Sequence, residues 1–116
     1  MLAVNTADLP RPAYVITVLF DLEDGAFEGF HRLVRDNAEE SLRVEPGCRR
    51  FDVLTPTGAE AGRQVLLYEI YDSRADFELH LASAHFRLFD ERTRAMVRRK
   101  TVTEFVLSED RDAVLP

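Results

Sequence analysis

The sequence predicts one α+β domain in which strands and helices follow the order β-α-β-β-α-β. The chain has 116 residues, the length of one ordinary domain, and its apolar fraction of 46% is enough for a hydrophobic core. Four runs rich in β-branched and aromatic residues alternate with segments whose apolar residues recur at helical spacing. We place the domain at residues 13–108, between a flexible N-terminal tail (1–12) and a C-terminal tail (109–116).

The first half of the domain is predicted to form a strand, a helix and a second strand. The first strand spans residues 14–22 and carries apolar residues on both faces, which indicates that both faces are covered. An acidic turn precedes a helix over about 26–44, because acidic side chains favour a helix N-terminus. Pro46 and Gly47 end this helix, since proline disfavours helical backbone in the residue before it. Residues 48–55 form the second predicted strand.

The second half is predicted to contain a strand, two helical segments and a final strand. After a loop, these are a strand over 63–71, a short helix to about 81, a helix over about 84–99 and a strand over 101–108. Asp72 or Ser73 can cap the short helix, and Ser83 can cap the longer one, on which we expect Met96 and Val97 to face the core. This order is that of the ferredoxin-like split βαββαβ fold, an antiparallel sheet with helices on one face.

The sheet face without helices predicts a partner. The first, third and fourth strands have apolar residues on both sides, and the uncovered face is then a larger apolar patch than monomers usually expose. Packing two such faces together covers the patch. We therefore expect a homodimer through the sheet face.

Composition excludes several classes of protein. The 15 basic against 21 acidic residues give a net charge of −6, which argues against a nucleic-acid partner. Cys48 is the only cysteine, so disulfides and CxxC metal motifs are excluded and a reducing cytoplasm is indicated. Neither a signal peptide nor a run of about 18 apolar residues is present, so we expect a cytoplasmic protein with no membrane partner.

Three polar residues occupy positions where the pattern expects apolar ones. Asn37 lies beside the apolar stripe of the first helix, and Ser41 lies one turn further along; each either contacts a ligand or is satisfied by backbone groups. Glu69 shares a strand face with apolar residues, where loss of solvent raises a carboxyl pKa and suits it to proton transfer. The alternative for Glu69 is an ion pair with an arginine such as Arg50.

His80 and His85 flank the break between the two helical segments. They are five residues apart, which does not match the spacing of HExxH-type zinc ligands, so we predict no metal ligands. Because Ser83 starts a new helix between them, the two imidazoles can still converge on one cavity. His85 is predicted to lie in the first turn of a helix, where the helix N-terminus favours the neutral form of the imidazole and the binding of an anion. We expect His31, on the first helix, to be incidental.

Three blocks of the sequence resemble a known family when taken together and in order. They are Asn37…Ser41…Glu45-Pro-Gly-Cys48-x-x-Phe51, Tyr68-Glu-x-Tyr71-x-Asp-x-x-Ala75 and His80-x-x-Ser83-x-His85-Phe86. From about Tyr14 to Leu107 the chain resembles the antibiotic biosynthesis monooxygenase family, whose members form dimeric α/β barrels. Within that family it is similar to small quinol monooxygenases and to the isomerase of phosphorylated autoinducer-2.

The resemblance implies an enzyme that oxidises a small quinol or polyphenol with O2 and needs no flavin, haem or metal. Deprotonated, an electron-rich phenol can itself reduce O2, so that the protein supplies a base, a dry pocket and orientation. The implied catalytic residues are Glu69, His80 and His85, and the implied substrate-binding residues are Asn37, Ser41, Arg50, Phe51 and Tyr71.

Two other functions stay open at this point. One is an isomerase or other acid–base enzyme on a small phosphorylated, enediol-forming compound, with Arg50 or the helix start at His85 near the phosphate. The other is a dimer without catalytic activity that binds a ligand or a haem.

Overall fold

The structure is a computed structural model that describes residues 13–109. Over this range the chain forms β1 (Tyr14–Leu22), α1 (Phe27–Val44), β2 (Cys48–Leu54), β3 (Gln64–Tyr71), α2 (Arg74–Leu81), α3 (Ala84–Thr93) and β4 (Val97–Val106). Short 3-10 turns precede β3 and β4, at Gly58–Glu60 and Arg94–Met96. The predicted N-terminal tail lies outside the described residues, as does the predicted C-terminal tail beyond Glu109.

The four strands form one antiparallel sheet in the order β2-β3-β1-β4. This is the strand order of the ferredoxin-like α+β fold, which confirms the predicted fold class. The register places Ile16 of β1 opposite both Glu69 of β3 and Glu104 of β4. Residues that share a pair also share a sheet face, so the pairing determines which side chains lie under the helices.

The main core lies between the helices and one face of the sheet. Phe30 and Val34 of α1 are fully buried there, and the Phe30 ring lies 4.8 Å from that of Phe20 on β1 and 5.7 Å from that of Phe89 on α3. Each such burial contributes about 1.5–3 kcal/mol, which is ample to hold α1 and α3 against the sheet. None of the helices within residues 13–109 is long and apolar enough to cross a membrane.

The opposite sheet face has no helix on it within the described residues. Ala13, Val15 and Ile70 form a small cluster there, while Leu54 and Phe105 are 44% and 49% exposed. The predicted apolar character of this face is therefore present in the structure.

The end of α3 differs from the prediction. The helix was expected to continue to about residue 99, but it ends at Thr93, and β4 begins at Val97 instead of 101. Met96 consequently lies in a 3-10 turn, and Val97 pairs with Leu22 beyond a bulge at Arg98 in β4. Pairing with β1 satisfies the backbone of Val97 and the residues that follow, and this outweighs their helical spacing. The other predicted ends agree with the structure to within about two residues.

Candidate active site

The turn between α1 and β2 brings a carboxylate to the end of α2. Pro46 holds Glu45 in extended backbone, with φ −99° and ψ 107°, although the Glu45 N–H still donates to the Ser41 carbonyl. A Cβ atom on Gly47 would lie 2.3 Å from Cγ of Asp76 in the first turn of α2. Glycine fits here because any side chain would force the Asp76 side chain to move.

The break between α2 and α3 brings the two histidines together. Ser83 caps α3 by accepting the Phe86 N–H at 3.2 Å, and its hydroxyl donates to the His80 carbonyl at 2.7 Å. The chain therefore turns between the two helices, and the rings of His80 and His85 lie 5.9 Å apart, centroid to centroid. The two imidazoles are therefore close together, but they do not line one cavity as predicted: His80 faces the interior under the helices, and His85 faces an outer groove between α1 and α3.

Glu45 joins the two histidines through one oxygen. Its Oε2 lies 2.8 Å from Nδ1 of His80 and also contacts Nε2 of His85. Burial alone raises the pKa of the Glu45 carboxyl, but the two imidazoles outweigh it, so that this pKa is lowered overall. From the sequence, no role was assigned to Glu45, although this residue stands in the first of the three blocks that resemble the family. Its position immediately before the proline was the one local signal.

Glu69 and Tyr71 form a second buried polar pair on β3. Both are at most 2% exposed, and the Tyr71 hydroxyl donates to Glu69 Oε1 at 2.6 Å. Burial raises the pKa of the Glu69 carboxyl and of the Tyr71 hydroxyl. The alternative of an ion pair with Arg50 is wrong, because Arg50 lies on the other sheet face and donates to Asp52 at 2.6 Å.

A small cavity lies under the helices, where His80 and Glu69 both line it. Its volume is about 30 Å³, room for one or two water molecules. Its polar lining consists of Asn37, Glu69, His80 and Lys100, and Phe51 is among its apolar lining residues. The lining residues Leu81 and Val102 are 41% and 45% exposed, so displacement of these side chains can admit a larger molecule.

Asn37 has an unpaired oxygen within this lining. The side chain is 4% exposed, and within residues 13–109 no group donates a hydrogen bond to its Oδ1. A buried acceptor without a donor costs about 1–3 kcal/mol. Backbone groups therefore do not satisfy this oxygen, contrary to the alternative considered from the sequence. The oxygen is free to accept a hydrogen bond from a ligand.

The other predicted site residues lie around the cavity or away from it. Ser41 is behind His80, with its Oγ 3.4 Å from Nδ1, and it donates to the Asn37 carbonyl at 2.7 Å. Tyr71 is behind Glu69, and His85 faces an outer groove between α1 and α3. Arg50 is on the opposite sheet face, and the structure does not bring it to the cavity.

Lys100 was missed because of the misplaced start of β4. As a strand residue opposite Phe20, it lines the cavity, with Nζ 5.7 Å from the Phe20 ring and 5.4 Å from the Phe86 ring. In the sequence, Lys100 stands between the predicted end of the helix at about 99 and the predicted start of the strand at 101, so no element was predicted to bring it to the site. Lys100 therefore brings an amine nitrogen to the cavity wall, over two aromatic rings.

Comparison with known proteins adds the family. The family model for antibiotic biosynthesis monooxygenases matches residues 13–92. The chain belongs to the antibiotic biosynthesis monooxygenase family. Its matched region contains every predicted site residue, and membership supports an enzyme of the monooxygenase type.

Solved structures of similar proteins share the fold. A proposed antibiotic biosynthesis monooxygenase from Nitrosomonas europaea is 29% identical, with a TM-score of 0.73 over 79% of this chain and 95% of that one. A second proposed member of this family, from Bacteroides thetaiotaomicron, is 23% identical, with a TM-score of 0.74 over 81% and 88% of the two chains. A Mycobacterium tuberculosis protein is 23% identical, with a TM-score of 0.69 over 84% and 95%. A search among curated proteins found no match.

Proposed function

We propose that this member of the family is a cofactor-independent monooxygenase that oxidises a small quinol or polyphenol with O2. The proposal rests on the groups that line the cavity wall. Three polar groups surround one apolar space: a histidine hydrogen-bonded to a carboxylate, an unpaired amide oxygen and a buried carboxyl group. These are His80 with Glu45, Asn37 and Glu69. Acid–base groups in a dry pocket are what such a reaction requires of the protein.

The first step assigned to the protein is removal of a phenolic proton. When Nδ1 of His80 carries its proton and donates to Glu45, Nε2 holds the lone pair that can accept the proton of the substrate. Asn37 Oδ1 accepts a hydrogen bond from a second substrate hydroxyl, which orients the ring. Phe51, which is 2% exposed, packs against that ring.

The resulting phenolate then reacts with oxygen. One electron passes from the phenolate to O2, and the two radicals combine at a ring carbon to form a peroxide. Loss of water leaves a hydroxyquinone, so that one quinol and one O2 give one hydroxyquinone and one water. Glu69, whose pKa is raised by burial, supplies a proton to the departing oxygen.

The observation that favours the acid–base alternative is Lys100. Its ammonium at the cavity wall can neutralise one charge of a phosphate, although Arg50, the other basic residue considered for that role, lies on the opposite sheet face. An isomerase of a phosphorylated enediol would use the same base and the same carboxyl group. Substrate choice distinguishes the two reactions.

Oxygen uptake by metal-free protein with a panel of small quinols tests the proposal. We expect uptake by the wild type and by His31→Ala, and at least a hundredfold loss in His80→Gln and Glu69→Gln. His31 is a matched control because it is a histidine of α1 that stacks on Phe27 and does not line the cavity. Absence of uptake in the wild type, together with turnover of phosphorylated enediol-forming sugars, would replace this proposal with the isomerase.

The proposed enzyme is a homodimer through the sheet face without helices. The exposed Leu54 and Phe105 lie on that face beside the small Ala13, Val15 and Ile70 cluster, and burial of such side chains is favourable. Phe105→Asp is expected to convert the dimer to a monomer in light scattering at micromolar concentration. A wild-type monomer under the same conditions would contradict this assignment.

A further inference from the structure

We propose that Glu45, His80 and His85 bind a divalent transition metal ion such as Zn²⁺, and that this ion inhibits the enzyme. The binding site stands on the geometry alone. The inhibition rests on the proposed function, because it requires His80 to be the base.

The three side chains present a compact donor set. Oε2 of Glu45, Nδ1 of His80 and Nε2 of His85 all lie within 4.8 Å of one another. Ligand atoms of tetrahedral zinc are separated by about 3.3 Å, so the 2.8 Å contact between Glu45 and His80 needs to open by only about 0.5 Å. Two imidazoles and one carboxylate are a common zinc ligand set that leaves the fourth position open.

A second observation at the same site is the other oxygen of Glu45. Oε1 is buried, and no residue between 13 and 109 gives it a hydrogen-bond partner. A buried carboxylate oxygen without a partner is costly, and a cation bound by both oxygens satisfies it. The hydrogen bonds to Oε2 explain how the two imidazoles are held, but they leave Oε1 unexplained.

The site has a route to solvent and a local charge that suits a cation. His85 lines an outer groove of about 300 Å³, whose acidic residues, Asp36 and Glu40, outnumber its one arginine, Arg92. The His80 side chain, 3% exposed, lies on the inner side. Because two of the three ligands are imidazoles, the site favours zinc, cobalt, nickel or copper over magnesium and calcium.

Inhibition follows from the atoms involved. A metal ion on Nδ1 of His80 takes the lone pair of that nitrogen, so the proton of the neutral ring must reside on Nε2. Nε2 is the atom that accepts the phenolic proton in the proposed reaction. The ion therefore removes the base without filling the cavity, and raising the quinol concentration does not restore the rate.

Cobalt binding to tag-free protein tests the site directly. Co²⁺ is added to metal-free protein, the visible absorption of the bound ion is recorded, and Zn²⁺ is then added to displace it. We expect about one Co²⁺ per chain and loss of the absorption on addition of Zn²⁺. Binding is expected to weaken at least about tenfold in His85→Ala and in Glu45→Gln, and to be unchanged in His31→Ala.

His31 is the remaining histidine of the chain, so this control separates the cluster from histidine content. Circular dichroism checks that each variant is folded, and His85→Gln replaces His85→Ala if the smaller side chain disturbs α3. Binding that is absent in the wild type, or equal in the wild type and in Glu45→Gln and His85→Ala, would overturn the site.

The two proposals fail separately. Uptake of oxygen without metal binding leaves the proposed function and removes this inference. Metal binding without uptake by any quinol leaves the site and removes the proposed function. Oxygen uptake that is unchanged or faster when Zn²⁺ is bound would overturn the inhibition.

Discussion

The buried hydrogen bond from Tyr71 to Glu69 is expected to contribute a measurable part of the free energy of unfolding. Its two oxygen atoms lie 2.6 Å apart, and both residues are at most 2% exposed. Tyr71→Phe removes only the hydroxyl, because the ring keeps its contacts with Phe77 and His80 at centroid distances of 5.5 and 5.6 Å. Oε1 of Glu69 is then buried without this donor.

The expected loss is about 2 kcal/mol, since an acceptor that is left buried without its donor costs about 1–3 kcal/mol. For a chain of this length, such a loss lowers Tm by about 8 °C. Urea unfolding followed by circular dichroism at pH 7, at one protein concentration, measures it.

Tyr68→Phe is the matched control. Tyr68 is on the same strand but on the opposite face, and within the part of the chain that the structure describes its hydroxyl has no hydrogen-bond partner. Its removal is expected to cost less than about 0.5 kcal/mol. Equal losses for the two variants would refute the reasoning.

A pH profile gives a second readout of the same bond. The Tyr71 hydroxyl lowers the pKa of Glu69, against the larger effect of burial, so its removal raises that pKa further. If protonated Glu69 supplies a proton, oxygen uptake by Tyr71→Phe persists to higher pH than uptake by the wild type. A shift to lower pH would show that Glu69 acts as a carboxylate instead.

Three further predictions concern buried polar groups. Burial raises the folded-state pKa of Glu69 above its ordinary value of 4.5, so the free energy of unfolding falls as pH rises through and above that value. Glu69→Gln is therefore expected to have a higher Tm than the wild type at pH 8 and the same Tm below about pH 4.5. Equal Tm values at both pH values would contradict this prediction. Burial raises the pKa of the Cys48 thiol to about 12, so we expect this thiol to react with a disulfide reagent at pH 8 only after the protein is unfolded in urea. Fast labelling of the folded protein would contradict this prediction. Asn37→Leu removes the amide with the unpaired oxygen, and we expect it to raise the free energy of unfolding in urea by about 1 kcal/mol. The same variant is expected to have a higher KM for quinols. An unchanged KM would mean that the substrate binds elsewhere.

The alternation of residues along the chain was sufficient to predict the fold and one half of the candidate site. The period of two along β3 put Glu69 and Tyr71 on one apolar face, and the structure has both there. The serine at position 83 predicted a new helix start, and hence two histidines turned toward each other. These features depend on neighbours within one or two turns, so they are encoded locally.

Tertiary structure alone decided how the polar groups are paired. Glu45 meets His80 and His85 across 35 and 40 residues of chain, and spacing within one helix could not reveal a contact made between elements. Lys100 reached the cavity because pairing with β1 outweighed the helical pattern that precedes it. The sequence by itself determined which strand and helix faces are buried, because burial follows the local period of apolar residues. Only the packing of α1, α2 and α3 on the sheet decided which buried polar groups are in contact. Such contacts depend on distances between elements, and no local pattern contains those distances.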